Sequence, residues 1–443
     1  MQFTDLNLNK PILNALDDLG YTRPTTIQYK VFAPAMSGKD ICGIAQTGTG
    51  KTLAYLLPLL RQFVYSKEKH PQFLVLVPTR ELAVQVAEMA RKLAAYMSFE
   101  VFAVYGGVNM NPQMEAVKNN KIDLLVATPG RLYDIALSGA LRLKHIKKVV
   151  IDEMDEMLNL GFRTQLRNIF DLLPKKKQCL LFSATLPPEV EQLIDEYFEA
   201  PERLEAAPAG TPIARIRQMG YRVPNFYTKI NLLERILQEN PDMKKVLVFV
   251  ATKGLADELF EQLDPKFPEQ VGVIHSNKDQ NFRFNAIRRF QQGSIKYLIA
   301  TDIIARGMDI ADVSHVISFD TPEVPENYIH RIGRTGRADK DGTALLFTSD
   351  RETERLAAIE ALMNYTVPQE PLPEDLVISE RLSEEEMPRI HVKEIKLKIP
   401  ADENRGAAFH EKLPKNQKVN FKESHASKMR RKYGKPLKRR PKR

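Results

Sequence analysis

A chain of 443 residues, 43% apolar and 27% charged, is too long for one ordinary core, and two domains with extra segments are expected. No apolar run approaches the roughly 18–20 residues of a membrane span, and the opening MQFTDLNLNK has no signal-peptide pattern, so a membrane is not an expected partner. The net charge of +9 is uneven: residues 412–443 hold 14 Lys/Arg against one acid, Glu423, a local +13 that leaves −4 for the rest.

In chain order, short apolar runs rich in β-formers alternate with helix-length amphipathic segments. The first half has the strand-like ICGI (41–44), then FLVLV (73–77), VFAVY (101–105), DLLVA (123–127), VVI (149–151) and CLLFS (179–183). The second has KVLVFV (245–250), VGVIH (271–275), KYLIA (296–300), HVISF (315–319) and TALLFT (343–348). Such alternation predicts an α/β fold with parallel sheets covered on both faces. Pro201, Pro208, Gly210 and Pro212 interrupt helix and strand alike, and a second Pro-rich break spans 367–376. The expected division is a first domain over 1–205, a linker over 206–214, a second domain over 215–367 and an extension over 368–443. No regular structure is assigned beyond about 390; the basic tail there is either solubilising charge or a binder of nucleic acid phosphates. Cys42 and Cys179, each in an apolar run beside small residues, read as buried thiols in a reducing, cytoplasmic compartment.

Polar, small or charged residues follow directly on the strand ends (LVLV-PTRE, LLVA-TPGR, VVI-DEMD, LLF-SAT, LIA-TD), where open parallel sheets bind ligands. Two domains decorated along the same edge predict a site shared across the cleft between them. AQTGTGKT (45–52) joins ICGI to a helical segment. A Gly-rich turn opening a helix aims N–H groups at phosphate, with Lys51 reaching the outer phosphates and the Thr52 hydroxyl ligating Mg²⁺. Ala45 stands where the usual pattern has its first glycine.

Asp152, Glu153 and Asp155 crowd the end of VVI. A P-loop needs a second strand end with a carboxylate for the metal, which Asp152 supplies; Glu153 can orient or deprotonate the attacking water. Taken alone, either acid could simply cap the next helix. Met154 with Met157 and Leu158 keeps helical core spacing. In YIHRIGRTGRAD (328–339), Arg331, Arg334 and Arg337 recur every three residues. They are either a solvated basic face or arginines delivered from the second domain onto a γ-phosphate, in which case hydrolysis requires closure.

These motifs, in order and spacing over residues 3 to 365, make the sequence resemble the DEAD-box ATP-dependent RNA helicases of superfamily 2. The resemblance implies two RecA-like domains closing on ATP and RNA. It implies that Phe3, Tyr21 and Gln28 belong to the adenine-reading element, Gln28 by a bidentate amide contact. Ala45, Gln46, Thr47, Gly48, Thr49, Gly50, Lys51 and Thr52 would form the family's P-loop, and Asp309 would reach the ribose. Ser183 to Thr185 would couple the acids to RNA, His330 and Arg331 would tie the second domain to the first, and Arg334 and Arg337 would be finger arginines. RNA contacts map onto Pro78, Thr79, Arg80, Gly106, Gly107, Thr128, Pro129, Gly130, Arg131, Gln280, Arg283 and Thr301. Glycine at 106, 107 and 130 suits close backbone approach. Two positions depart from the family pattern: Met154 replaces the alanine of the name-giving tetrapeptide, and Ser276 the glycine of His-Gly-Asp.

The implied activity is RNA-stimulated ATP hydrolysis coupled to strand bending and local, non-processive unwinding, by a monomer with little sequence preference. An ATP-gated RNA clamp and a DNA-directed helicase are the alternatives. Ribosomal or RNA-decay partners, and a nuclear signal in KRRPKR, stay open.

Overall fold

The side chains of the apolar runs alternate between two cores, which is why near-continuous hydrophobicity is needed. In the first half Phe73, Val75, Leu124, Val126, Val150 and Leu180 enter one core. Their neighbours Leu74, Leu76, Leu125, Ala127, Val149, Ile151 and Leu181 enter the other. A sheet so placed must be covered by helices on both faces. The computed structural model describes residues 2–45, 48–205, 216–302, 313–336 and 341–387, and both halves lie in one compact unit.

The first lobe holds β1 (Ile41–Ile44), β2 (Phe73–Leu76), β3 (Val101–Val104), β4 (Leu124–Ala127), β5 (Lys148–Asp152), β6 (Gln178–Ser183) and β7 (Glu202–Glu205). They form a seven-stranded sheet in the order β3-β4-β2-β5-β6-β1-β7. The second lobe holds β8 (Ile216–Arg222), β9 (Val246–Phe249), β10 (Val271–Ile274), β11 (Tyr297–Ala300), β12 (His315–Ser318), β13 (Gly342–Thr348) and β14 (Gln369–Glu370), in the order β10-β11-β9-β12-β13-β8-β14. Every pairing in both sheets is parallel. No helix of the described residues is long and apolar enough to cross a membrane.

The expected apolar strands are present with ends shifted by a residue or so; β5, β6 and β13 are longer than expected and most of the others shorter. Three strands were not foreseen: β7, β8 and β14. The first is an edge strand reading ERLE, the last is two residues long, and β8, IRQMGYR, alternates buried and open positions. The expected end of the second domain at 367 falls short. Strand β14 pairs with β8, Asn225 Nδ2 donates to Ser379 O at 2.5 Å, and Glu386 accepts from the Phe226 N–H at 2.8 Å. Residues up to 387 thus belong to the second lobe's packing. The expected linker and basic tail lie outside the described residues. Both cysteines are buried and free, and burial pushes their thiols up to about 11 (Cys42) and about 12 (Cys179).

Candidate active site

Strand β1 runs into Ala45, whose N–H donates to Ser183 O at 3.0 Å, and the turn ends at Gly50 with φ of 89° before the helix Lys51–Arg61. A Cβ on Gly50 would collide with the Gln28 amide. That amide donates to Gly50 O (3.1 Å), while its oxygen accepts from Thr25 N–H (2.9 Å) and caps the helix Thr26–Met36. One donor and one acceptor position of Gln28 are left over for a ligand. Phe3 is buried in the first core, whereas Tyr21 is exposed. Gly48, Thr49 and the half-buried Thr52 complete the turn; Gln46 and Thr47 lie outside the described residues. Lys51 is buried, and its Nζ has no hydrogen-bond partner among the described residues. A buried ammonium in that state calls for an anion.

Asp152 closes β5 with its carboxylate fixed from two sides: Oδ2 accepts from the Tyr55 hydroxyl at 3.0 Å and Oδ1 from the Glu153 N–H at 3.0 Å. Burial pushes this carboxyl up to about 6; Lys51 opposes the rise and Glu153 adds to it. Glu153 sits in the left-handed region (φ 54°, ψ 54°), at a cost of roughly 1–2 kcal/mol for a residue with a Cβ. Its side chain makes no cap on the helix Met154–Asn159, so the capping alternative is set aside for Glu153. Met154 and Met157 are buried in the core with Cys42 and Ile44.

Asp155 donates its N–H to Ser183 Oγ (3.2 Å), and its Oδ2 accepts from both the N–H and the hydroxyl of Thr185 (3.0 and 2.9 Å). From the second lobe His330 Nε2 reaches within 3.8 Å of the same oxygen. Burial alone would raise Asp155, but His330, Lys51, Ser183 and Thr185 together hold it below the ordinary carboxylate value.

The helix Pro325–Ile332 carries His330 and Arg331 and ends before Arg334, so Arg331 and Arg334 do not lie on one helix. Arg331 is a correction to the expected interdomain tie. It is fully buried in its own lobe, with Nε and Nη2 on Asp302 (2.6 and 2.7 Å) and Nη1 on Asp320 O (2.6 Å). A guanidinium committed to two acceptors inside one lobe is a brace of that lobe. Arg334 is buried; Arg337 and Asp309 lie outside the described residues.

The residues expected on RNA divide into two sets. Arg80 Nη1 donates to Gln280 Oε1 (2.9 Å), Arg283 Nη1 pairs with Glu81 Oε1 (3.0 Å), and Arg283 Nη2 also reaches Gln280 (2.7 Å). Arg283 is buried and bridges the lobes through its two Nη atoms, while its Nε has no hydrogen-bond partner among the described residues. Arg131 is likewise spent internally, on Gln113 (3.1 Å) and on Val108 O (2.8 Å), bracing the loop that follows Gly106 and Gly107. At Gly107, φ is 77° and a Cβ would overlap the Arg80 guanidinium, while Gly106 and Gly130 face open space. Pro78, Thr79, Thr128, Pro129 and Thr301 are buried at the carboxyl ends of their strands, Thr79 capping the helix Arg80–Leu93.

Sequence reasoning missed Tyr55, Glu81, Gln113 and Asp302. Tyr55 had a signal, lying one helical turn beyond Lys51 and so on its face. The others depend on partners distant in sequence.

A family profile described as DEAD/DEAH box helicase matches residues 25–193, and one described as helicase conserved C-terminal domain matches residues 228–339. The DEAD-box ATP-dependent RNA helicase CshA of Bacillus cereus is 40% identical over 359 residues, 81% of this chain and 67% of that protein. The chain belongs to the DEAD-box ATP-dependent RNA helicases. CshA of Bacillus subtilis is 39% identical over the same length, covering 72% of that protein. Among solved structures, S. cerevisiae Dbp5 bound to RNA and ADP BeF3 superposes with TM-score 0.76 at 29% identity, over 84% of this helicase and 95% of that chain. Mss116p bound to ssRNA and AMP-PNP gives TM-score 0.78 at 27% identity, over 84% and 80%. The helicase is therefore an RNA-dependent ATPase built from two RecA-like lobes.

Proposed function

We propose that closure of the lobes on RNA switches on ATP hydrolysis, and that bending of the held strand opens short duplexes locally. The observation that carries this reading is Asp155, held by Thr185 of its own lobe and faced at 3.8 Å by His330 of the other. A contact of this kind exists only when the lobes are together, so it can report closure to the nucleotide site.

Within the site, Lys51 binds the outer phosphates, and the Gln28 amide reads adenine with the capacity left over from its cap. Glu153 orients or deprotonates water, its strained backbone setting the carboxylate's direction. The residues present fit Mg²⁺: Asp152 is a buried carboxylate whose proton affinity is raised by burial, and Thr52 offers a hydroxyl in the first turn of the P-loop helix. Among the described residues no three ligating side chains form a cage, which suits an ion held by one carboxylate and substrate phosphates. When bound, the metal supplies charge neutralisation at the phosphates. Arg334, with Arg337, stabilises the charge that develops on the transferred group. The strand itself lies along Thr79, Gly106, Gly107, Thr128, Gly130 and Thr301, where contacts to the sugar–phosphate backbone dominate.

The test is His330→Ala. Its RNA-stimulated ATPase should fall to the rate without RNA while fluorescent ADP still binds; undiminished stimulation would remove His330 from the coupling.

A further inference from the structure

We propose that Phe282, with Lys278 beside it, is a stacking platform for one base of the bound RNA, giving the helicase a base contact in addition to its grip on the backbone. The inference rests on the RNA-binding reading above. Of the large apolar side chains exposed among the described residues, Phe282 is the one phenylalanine, 50% open to solvent. It stands in the first turn of the helix Gln280–Gln291, between Gln280 and Arg283, the two residues that bridge to Arg80 and Glu81 of the other lobe. That turn follows the loop leaving the carboxyl end of β10, the same sheet edge that carries Thr301. A strand lying along the edges of both sheets must pass it.

The surroundings suit a nucleotide. Lys278 Nζ lies 5.9 Å from the Phe282 ring centroid and is steadied by Asp257 at 2.8 Å. Asp257 is itself fixed by His275 Nε2 at 2.9 Å. Beyond the end of β9, Lys253 Nζ donates to Asn277 Oδ1 at 3.1 Å. One ammonium thus lies beside the aromatic ring and a second is tied to the loop that leads to it: cations for the phosphates and a π-surface for a base. Stacking tolerates any base, so the contact adds affinity without imposing a sequence. Ser276, where the loop departs from the family's pattern, directly precedes Asn277 and Lys278 in the loop that leads to this helix.

The chain contains no tryptophan, so Phe282→Trp introduces a single indole reporter in the full-length protein. With AMP-PNP and Mg²⁺ present, a single-stranded oligoribonucleotide should quench its emission, and an abasic oligonucleotide of equal length should not. Phe282→Ala should raise the Kd for the same RNA, read by anisotropy, about tenfold, with a smaller change for the abasic strand. Quenching by both strands alike, or none by either, overturns the stacking site while wild-type binding upholds the RNA-binding reading. Failure of the wild type to bind RNA overturns both.

Discussion

Glu81 and Arg283 meet at 3.0 Å across the cleft, and their side chains are 4% and 6% exposed. Neither has a reason to be buried in an isolated lobe. Burying a charge is tolerable only with its partner present, and removal of one partner from such a pair costs about 3–5 kcal/mol. The pair therefore favours closure. Arg283→Ala should raise the RNA concentration for half-maximal ATPase at least tenfold, Glu81→Ala should do the same, and the double variant should lose little more. A double-mutant cycle reads this directly; fully additive losses would mean that the two residues act separately.

Tyr55 holds Asp152 by a hydrogen bond between wholly buried groups, while its ring rests 5.4 Å from that of Phe182. Tyr55→Phe keeps the ring and deletes the donor, so packing should survive. The half-saturating Mg²⁺ concentration for nucleotide binding should rise several-fold, on the scale of about 1.5 kcal/mol for a hydrogen bond to a charged acceptor. Mg²⁺ titration with fluorescent ADP, at fixed nucleotide, measures it; an unmoved titration would leave Tyr55 a packing residue.

The arrangement of strands was legible because each central strand is buried on both faces and must be apolar throughout, as FLVL and LLVA are. Strand β8 was not, since Arg217 is exposed beside buried Ile216 and Gln218. The turn and helix that carry Lys51 and Thr52 were legible because the glycines precede them directly in sequence. Partners far apart in sequence were not. Nothing in the spacing couples Tyr55 to Asp152, or aims Arg331 at Asp302 rather than across the cleft. The left-handed backbone at Glu153 has no sequence signature at all.

Arg331→Met should destabilise the second lobe by about 3 kcal/mol, because Asp302 loses a bidentate partner and Asp320 O a donor. Chemical unfolding should show that lobe melting first. If stability held and only the ATPase fell, Arg331 would be restored to the role expected from the sequence.

Lys148 begins β5 at the edge opposite Asp152, its Nζ bonded to the amide oxygens of Gln62 and Gln178. Burial lowers it from the ordinary lysine value of 10.5 to about 8. Between those values the unfolded chain binds the additional proton, so stability should rise with pH across that window. Lys148→Gln should flatten this rise in urea midpoints taken at pH 8 and pH 10; an unchanged slope would place the proton uptake elsewhere.

The most direct measurement is steady-state ATP hydrolysis with and without single-stranded RNA, for the wild type and Glu153→Gln, beside a DNA strand of matched sequence. The account predicts strong stimulation by RNA alone and its loss, by a factor of about 10² or more, in the variant that still binds RNA and nucleotide. Equal stimulation by DNA, or a Glu153→Gln enzyme that hydrolyses ATP at the wild-type rate, would contradict it.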